Sequence, residues 1–286
     1  MVDMSDQAAR QIRSATVITP CRDAERLIAA TAESIMVQTA VRSGRLTLQY
    51  LVCDGASNDR TLDIVREVCG DRVEIICAPD RGMYEALAGG LRRASGDIVS
   101  YLNAGDTYAP TALDVVADVL EQHEHIDWLM GLHVVYNEQG QVIRWHLPYR
   151  CRRRLLRKGL LYKLVPFGVQ QESTFWHRDL LPAVDLDELA TFRLAGDMYL
   201  WRAFAGQAEP VIVESYLGGW RRHEGQLSSD MVAYLAEFDA YRGRASLLDR
   251  AFAFFDAGER YLPTRIRKWL NPRGLIRYYW QHGRWM

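Results

Sequence analysis

Carboxylates gather at four points of this chain, each just after an apolar, strand-like run. Ala15-Thr16-Val17-Ile18-Thr19-Pro20 leads into Asp23 and Glu25, and Leu48-Gln49-Tyr50-Leu51-Val52-Cys53 leads into Asp54. Val73-Glu74-Ile75-Ile76-Cys77 is followed by Asp80-Arg81-Gly82, and Ile98-Val99-Ser100-Tyr101-Leu102 by Asn103-Ala104-Gly105-Asp106. Acids and amides in such places suit a phosphorylated ligand held through a divalent cation, because hard oxygen donors bind Mg2+ or Mn2+ and the cation bridges to phosphate. No GxxxxGK[ST] loop and no GxGxxG turn follows any of these runs, so a glycine-rich phosphate cradle is excluded. A further acid, Asp197, stands at the start of the helical pattern 198–204.

The elements that must position these residues alternate in type. Residues 24–38, 60–69 and 83–94 repeat apolar side chains at helical spacing, and Pro110 opens another helix through residue 121. Strand, helix, strand, helix in this rhythm predicts a mostly parallel sheet with helices on both faces. Right-handed crossovers then bring the strand C-termini to one edge, where such sheets bind ligands. Four polar clusters at one edge make a groove. Beyond residue 127, apolar runs alternating around Asn137-Glu138-Gln139-Gly140 predict a hairpin added to the sheet edge. Residues 169–176 and 211–213 read as strands, residues 218–228 as a polar loop, and the tail from Tyr234 as helical.

Composition narrows the function classes. Lys plus Arg is 35 and Asp plus Glu is 36, a balance that gives no case for nucleic acid as a partner. The five cysteines form no CxxC pair and read as buried apolar residues of a reducing compartment, without disulfide or zinc. The first fifteen residues carry no apolar leader, and no run is long enough to span a membrane. The expected location is cytoplasmic.

VITPCRDAE, DGASNDRT and DRGMYEALAGGLRRASGDIVSYLNAGDTY together resemble the family 2 glycosyltransferases, in their colanic-acid-type branch. QQESTFWHRDLL and LAGDMYLW fit the same family. The resemblance implies an α/β GT-A fold, a Rossmann-like mixed sheet flanked by helices, here with a C-terminal helical extension. Residues 1–230 would form the transferase domain, with a nucleotide-sugar half (15–110) and an acceptor half (111–230), and residues 231–286 the extension. It also implies a nucleoside-diphosphate sugar donor, UDP-linked by family habit, a Mn2+ or Mg2+ cofactor and inversion at the anomeric carbon. Carried over residue by residue, Thr19, Pro20 and Glu25 sit at the nucleoside, Asp54 at base or ribose, and Asp80 and Arg81 at the nucleotide. Asp106, beside Asn103, is the metal-linked acid and Asp197 the general base. On the residues themselves, Arg222 and His223 are expected near the diphosphate, and Gln170 and Gln171 read as solvated strand residues or, for Gln171, as a contact to the acceptor, a saccharide or a polyprenyl-diphosphate-linked glycan. Members often carry several acids in the metal motif; this chain has only Asp106 there, which implies weak metal affinity without the donor.

Alternatives stay open on the residues alone. Asp106 is also suited to capping the helix near Pro110, Asp54 to an Asx turn, and Asp197 to the first turn of its helix with Glu172 as base instead. His223 is more often structural than a metal ligand. The tail mixes Arg and Lys with Trp and Tyr, as does an interfacial anchor on the cytosolic face of a membrane, with residues 150–163 adding to it; packing on the body or in a homo-oligomer is the alternative. Two rival functions are a nucleotidyltransferase, whose glycine-rich basic loop is missing between Thr19 and Glu25, and a non-catalytic nucleotide-sugar-binding protein, which would not need both Asp106 and Asp197.

Overall fold

The apolar runs become strands. β1 (Ser14–Cys21), β2 (Thr47–Asp54), β3 (Glu74–Cys77) and β4 (Ile98–Tyr101) pair in parallel, with β1 between β2 and β4. This computed structural model describes residues 10–160, 164, 168–222, 231–259 and 261–286. The helices α1 (Ile28–Met36), α2 (Thr39–Arg42), α3 (Thr61–Cys69), α4 (Met83–Leu91) and α5 (Ala112–Gln122) fall between and after these strands. β5 (Thr107–Tyr108) follows β4, and β6 (Trp128–Met130), β9 (Thr174–His177) and β10 (Val211–Val213) extend the sheet. With the late strand β12 (Leu275–Ile276), the order is β12-β10-β6-β9-β4-β1-β2-β3, and β9 alone runs antiparallel to its neighbours.

Two layers of core follow from the period of two along each strand. Ile18 and Leu51 face one side with Leu87 of α4, Trp128, Trp176 and Trp201. Their chain neighbours Val17 and Val52 face the other with Ile28 and Ile35 of α1, Val116 and Phe175. Both faces are therefore covered, as a parallel sheet requires. Gly90 of α4 lies so close to β1 and β2 that an added Cβ would stand 2.7 Å from Ile18 and 2.9 Å from the Cys53 sulfur.

Two expectations are corrected. The hairpin β7 (His133–Tyr136) and β8 (Val142–His146) does not extend the edge of the main sheet. It belongs to a second sheet of order β5-β11-β7-β8, to which β11 (Gly218–Arg221) contributes a strand where a polar loop was expected. Glycine hid that strand: a Cβ on Gly218 would lie 2.2 Å from the Glu172 carbonyl, so the backbones meet only without a side chain.

Among the described residues the remaining α-helices are α6 (Arg153–Arg157), α7 (Leu186–Leu189), α8 (Gly196–Gln207), α9 (Met231–Phe238), α10 (Leu247–Glu259) and α11 (Thr264–Leu270). A final ribbon pairs β13 (Tyr278–Tyr279) with β14 (Arg284–Trp285). The tail is thus helical as expected, but it also closes the sheet through β12 and seats Trp285 in the core. The basic segment around α6 turns inward: Arg152 grips Asp256 of α10 at 2.7 Å, and Arg154 and Lys158 both hold Asp249. These cations are engaged with carboxylates of α10 and are not offered to a membrane.

Candidate active site

The C-terminal ends of β1 and β4, the start of α4, the turn before β9 and the start of α8 surround a cleft of about 650 Å³. Its lining includes Pro20, Arg22, Asp80, Arg81, Asn103, Asp106, Gln171, Glu172, Arg193 and Asp197. Residues from distant parts of the chain meet here because parallel strands end on one edge.

Asp106 is brought in by a turn that only glycine makes easily, since Gly105 has φ +106°. Thr31 of α1 pins that turn, accepting from the Gly105 amide and donating to the Asp106 carbonyl, both at 2.8 Å. The Asp106 carboxylate accepts the Arg221 amide at 2.9 Å and does not cap α5. Glu172 faces it, and burial together with a neighbouring acid's charge raises both acids, Glu172 to about 7. Asn103 donates to Gln171 at 3.2 Å, and Gln171 donates to the Tyr101 carbonyl. The Asn103 Oδ1 atom is buried and finds no partner among the described residues.

That unpaired amide oxygen and the Asp106 carboxylate are two hard donors of the kind Mg2+ and Mn2+ take. Among the described residues no three His, Cys, Asp or Glu side chains cluster as a metal cage. The donor set therefore fits a cation that draws its other ligands from diphosphate and water.

Asp197 sits in the first turn of α8, where Gly196 lets the Tyr84 ring lie flat on the helix start; a Cβ there would be 2.4 Å from the ring. Its Oδ1 accepts from Tyr234 at 2.6 Å, the Met198 amide at 2.8 Å and Tyr84 at 3.4 Å. Burial nevertheless pushes this carboxyl up to about 6, against the downward pull of those bonds. Glu237, one turn beyond Tyr234 on α9, accepts the amides of Arg193, Leu194 and Ala195, each at 2.7 Å. Helix α9 thus straps the base of α8 and reaches the acid itself.

On the opposite wall Asp80 is raised by burial, which outweighs the Gly82 amide and the Arg22 charge. Gly55 passes so near that a Cβ would lie 2.5 Å from the Asp80 carboxylate. Arg81 projects outward and pairs with Glu85 through both its Nε and a terminal nitrogen, at 3.0 Å each.

The other expected residues lie elsewhere. Thr19 is in the core, accepting from the Tyr50 hydroxyl at 3.2 Å. Asp54 is buried beneath the cleft and committed to Ser57, its amide at 2.9 Å and its hydroxyl at 2.5 Å. Glu25 lines a neighbouring groove with Asp59 and Arg221 and accepts the Arg60 amide. Arg222 is exposed, its amide on the Tyr136 carbonyl, and His223 lies outside the described residues. Sequence reasoning missed Arg22, Tyr84, Arg193, Tyr234 and Glu237. Arg22 and Arg193 stand beside motifs already read, but α9 gives no sign in its sequence of which helix start it meets.

The sequence profile described as Glycosyl transferase family 2 matches residues 16–177. A PGL/p-HBAD biosynthesis glycosyltransferase of Mycobacterium tuberculosis is 26% identical over 206 residues, 71% of this chain and 73% of that protein. The structure resembles S. aureus TarS 1–349 in complex with UDP-GlcNAc, with TM-score 0.60 and 18% identity over 87% of this chain and 71% of that one. It also resembles the mannosyltransferase PcManGT from Pyrobaculum calidifontis in complex with GDP-Man and Mn2+, with TM-score 0.57 and 19% identity over 92% and 73% of the two chains.

Proposed function

The chain belongs to glycosyl transferase family 2 and has a GT-A fold, and from that premise we propose that it is a metal-dependent, inverting transferase using a UDP-linked sugar. The acceptor is a saccharide, carried on a polyprenyl diphosphate at the cytosolic face of a membrane, and the product a bacterial-type surface polysaccharide. One observation carries the reading: Asp197, raised to about 6 by burial against the pull of three hydrogen bonds, lines the cleft that also holds Asp80, Asn103 and Asp106. A carboxylate of that basicity is ionised at neutral pH and still takes a proton from a hydroxyl as it attacks.

Asp80 and Arg22 bound the donor pocket at the nucleotide end. Asp106 and Asn103 Oδ1 would hold the divalent cation, which supplies charge neutralisation for the departing diphosphate. Gln171, fixed between Asn103 and the Tyr101 carbonyl, presents its amide to the acceptor. Asp197 takes the acceptor's hydroxyl proton while that oxygen bonds to the anomeric carbon from the face opposite the diphosphate, whose C–O bond breaks. Glu172 is engaged with Asp106, which favours Asp197 over it as the base.

Incubation of the protein with UDP-sugars, with and without Mn2+, tests the reading. UDP release that depends on the metal is expected. Pyrophosphate release would point to a nucleotidyltransferase instead, and no release to a binding protein. Tyr234→Phe tests the support of the base: losing a hydrogen bond to the charged form raises the Asp197 carboxyl further. The acid limb of kcat/KM should therefore move up by about one pH unit. An unmoved limb in a stable, less active variant would make Tyr234 a packing residue only.

A further inference from the structure

The distribution of apolar surface is lopsided. Among the described residues, twelve of the sixteen exposed large hydrophobic side chains lie after residue 230. Patches of that kind mark interaction surfaces. Helix α10 shows the cause, because its amphipathicity is inverted. Its inward face carries Asp249, Asp256 and Glu259, all buried. Its outward face carries Leu247 and Phe254, 86% and 84% exposed. In water that arrangement leaves apolar area wet; it is favourable where the outer face meets an apolar phase.

The neighbouring elements continue the face. On α11, Ile266 and Trp269 share one helical side, Leu262 stands just before the helix, and Trp269 is 78% exposed. Trp280 follows the first strand of the last ribbon and is 80% exposed. Arg265 of α11 and Trp280 line one groove between helix and ribbon. The sequence after Glu259 holds seven Lys and Arg residues and no acid. Arg267 turns inward, while Arg265, Arg273 and Arg284 stay exposed.

We propose that α10, α11 and the β13–β14 ribbon form a docking face for an anionic bilayer surface. Phe254, Trp269 and Trp280 enter the boundary between headgroups and acyl chains, and Arg265 and Arg273 meet the anionic headgroups. The tail lies on the bilayer and does not cross it: no helix among the described residues is long and apolar enough to span. Charge decides between a membrane and a second copy of this chain. A twofold contact places the same patch on both subunits, so cations would face cations with no acid from this segment between them. An anionic leaflet complements the patch along its whole extent. The inference rests on the peripheral placement proposed above, and not on the donor or the base.

Flotation of the full chain with phosphatidylcholine vesicles, with and without phosphatidylglycerol, tests it. The protein should float with the anionic vesicles and stay behind with the neutral ones. The Trp269→Ala/Trp280→Ala and Arg265→Gln/Arg273→Gln pairs should each weaken that binding on the order of tenfold or more, with UDP release from the donor unchanged. Absence of flotation, or variants that float like the parent, would overturn the proposal. So would a dimer that dissociates on the same substitutions without vesicle binding, which would assign the face to a second copy. Flotation without donor hydrolysis would sink the transferase reading and leave the docking face standing.

Discussion

Asp197→Asn should lower sugar transfer by about a thousandfold, the range expected when a general base is removed, while leaving donor affinity unchanged. The amide keeps an oxygen for Tyr234 and the Met198 amide, so the start of α8 stays in place. It cannot accept the proton. Misfolding is not a competing explanation, and the sign is clear. The native carboxyl is raised to about 6, above its value in an unfolded chain. Above that pH the folded state therefore carries an anion that is harder to form there than in the unfolded chain, and a neutral isostere removes that cost. Thermal unfolding at neutral pH should show the variant as stable as the parent or more so. In the parent, kcat/KM should fall as pH drops through about 6, because protonated Asp197 no longer accepts. Single-turnover transfer and nucleotide-binding titrations measure the two halves; a fully active variant would move the base elsewhere in the cleft.

Asp106→Asn carries the second large effect, and it should fall on metal-dependent donor binding first. Asparagine retains an acceptor for the Arg221 amide and a partner for Glu172, so the turn at Gly105 survives. What is lost is the carboxylate donor that would share the cation with the Asn103 amide oxygen, which is buried and without a partner among the described residues. A cation lacking that anchor loses about 3 kcal/mol of charge stabilisation, on the order of a hundredfold in rate. The Mn2+ concentration for half-maximal activity should rise in parallel. Isothermal titration of UDP with and without Mn2+ separates the terms: metal-free affinity is retained and the metal-dependent gain is lost. An unchanged metal response would remove Asp106 from the cation site.

The edge of the sheet was readable because strand ends are written in local pattern. Ile98 to Leu102 followed by Asn103 and Asp106, and Asp80-Arg81 before α4, line the cleft where strand and turn signals put them. Depth was not readable. Thr19 and Asp54 end central strands too, but alternation along the strand turns Thr19 into the core toward Tyr50, and Ser57 folds back on Asp54. The strand β11 was missed because its glycines carry no apolar alternation, only the absence of side chains that lets it approach Glu172. Helix α9 was read as helical, but its target was not, because contacts between distant segments leave no periodicity in either one. The inverted face of α10 was visible only once α6 was seen to take its acids.

The three amides that converge on Glu237 give the site a built-in reporter. Arg193, Leu194 and Ala195 share one acceptor, so their protons are shielded together or released together. Their hydrogen–deuterium exchange measures how often α9 lifts, without any turnover, because local opening and not global unfolding sets such rates. A bilayer or an acceptor that presses α9 down would slow all three at once, and one that peels it away would free them as a set.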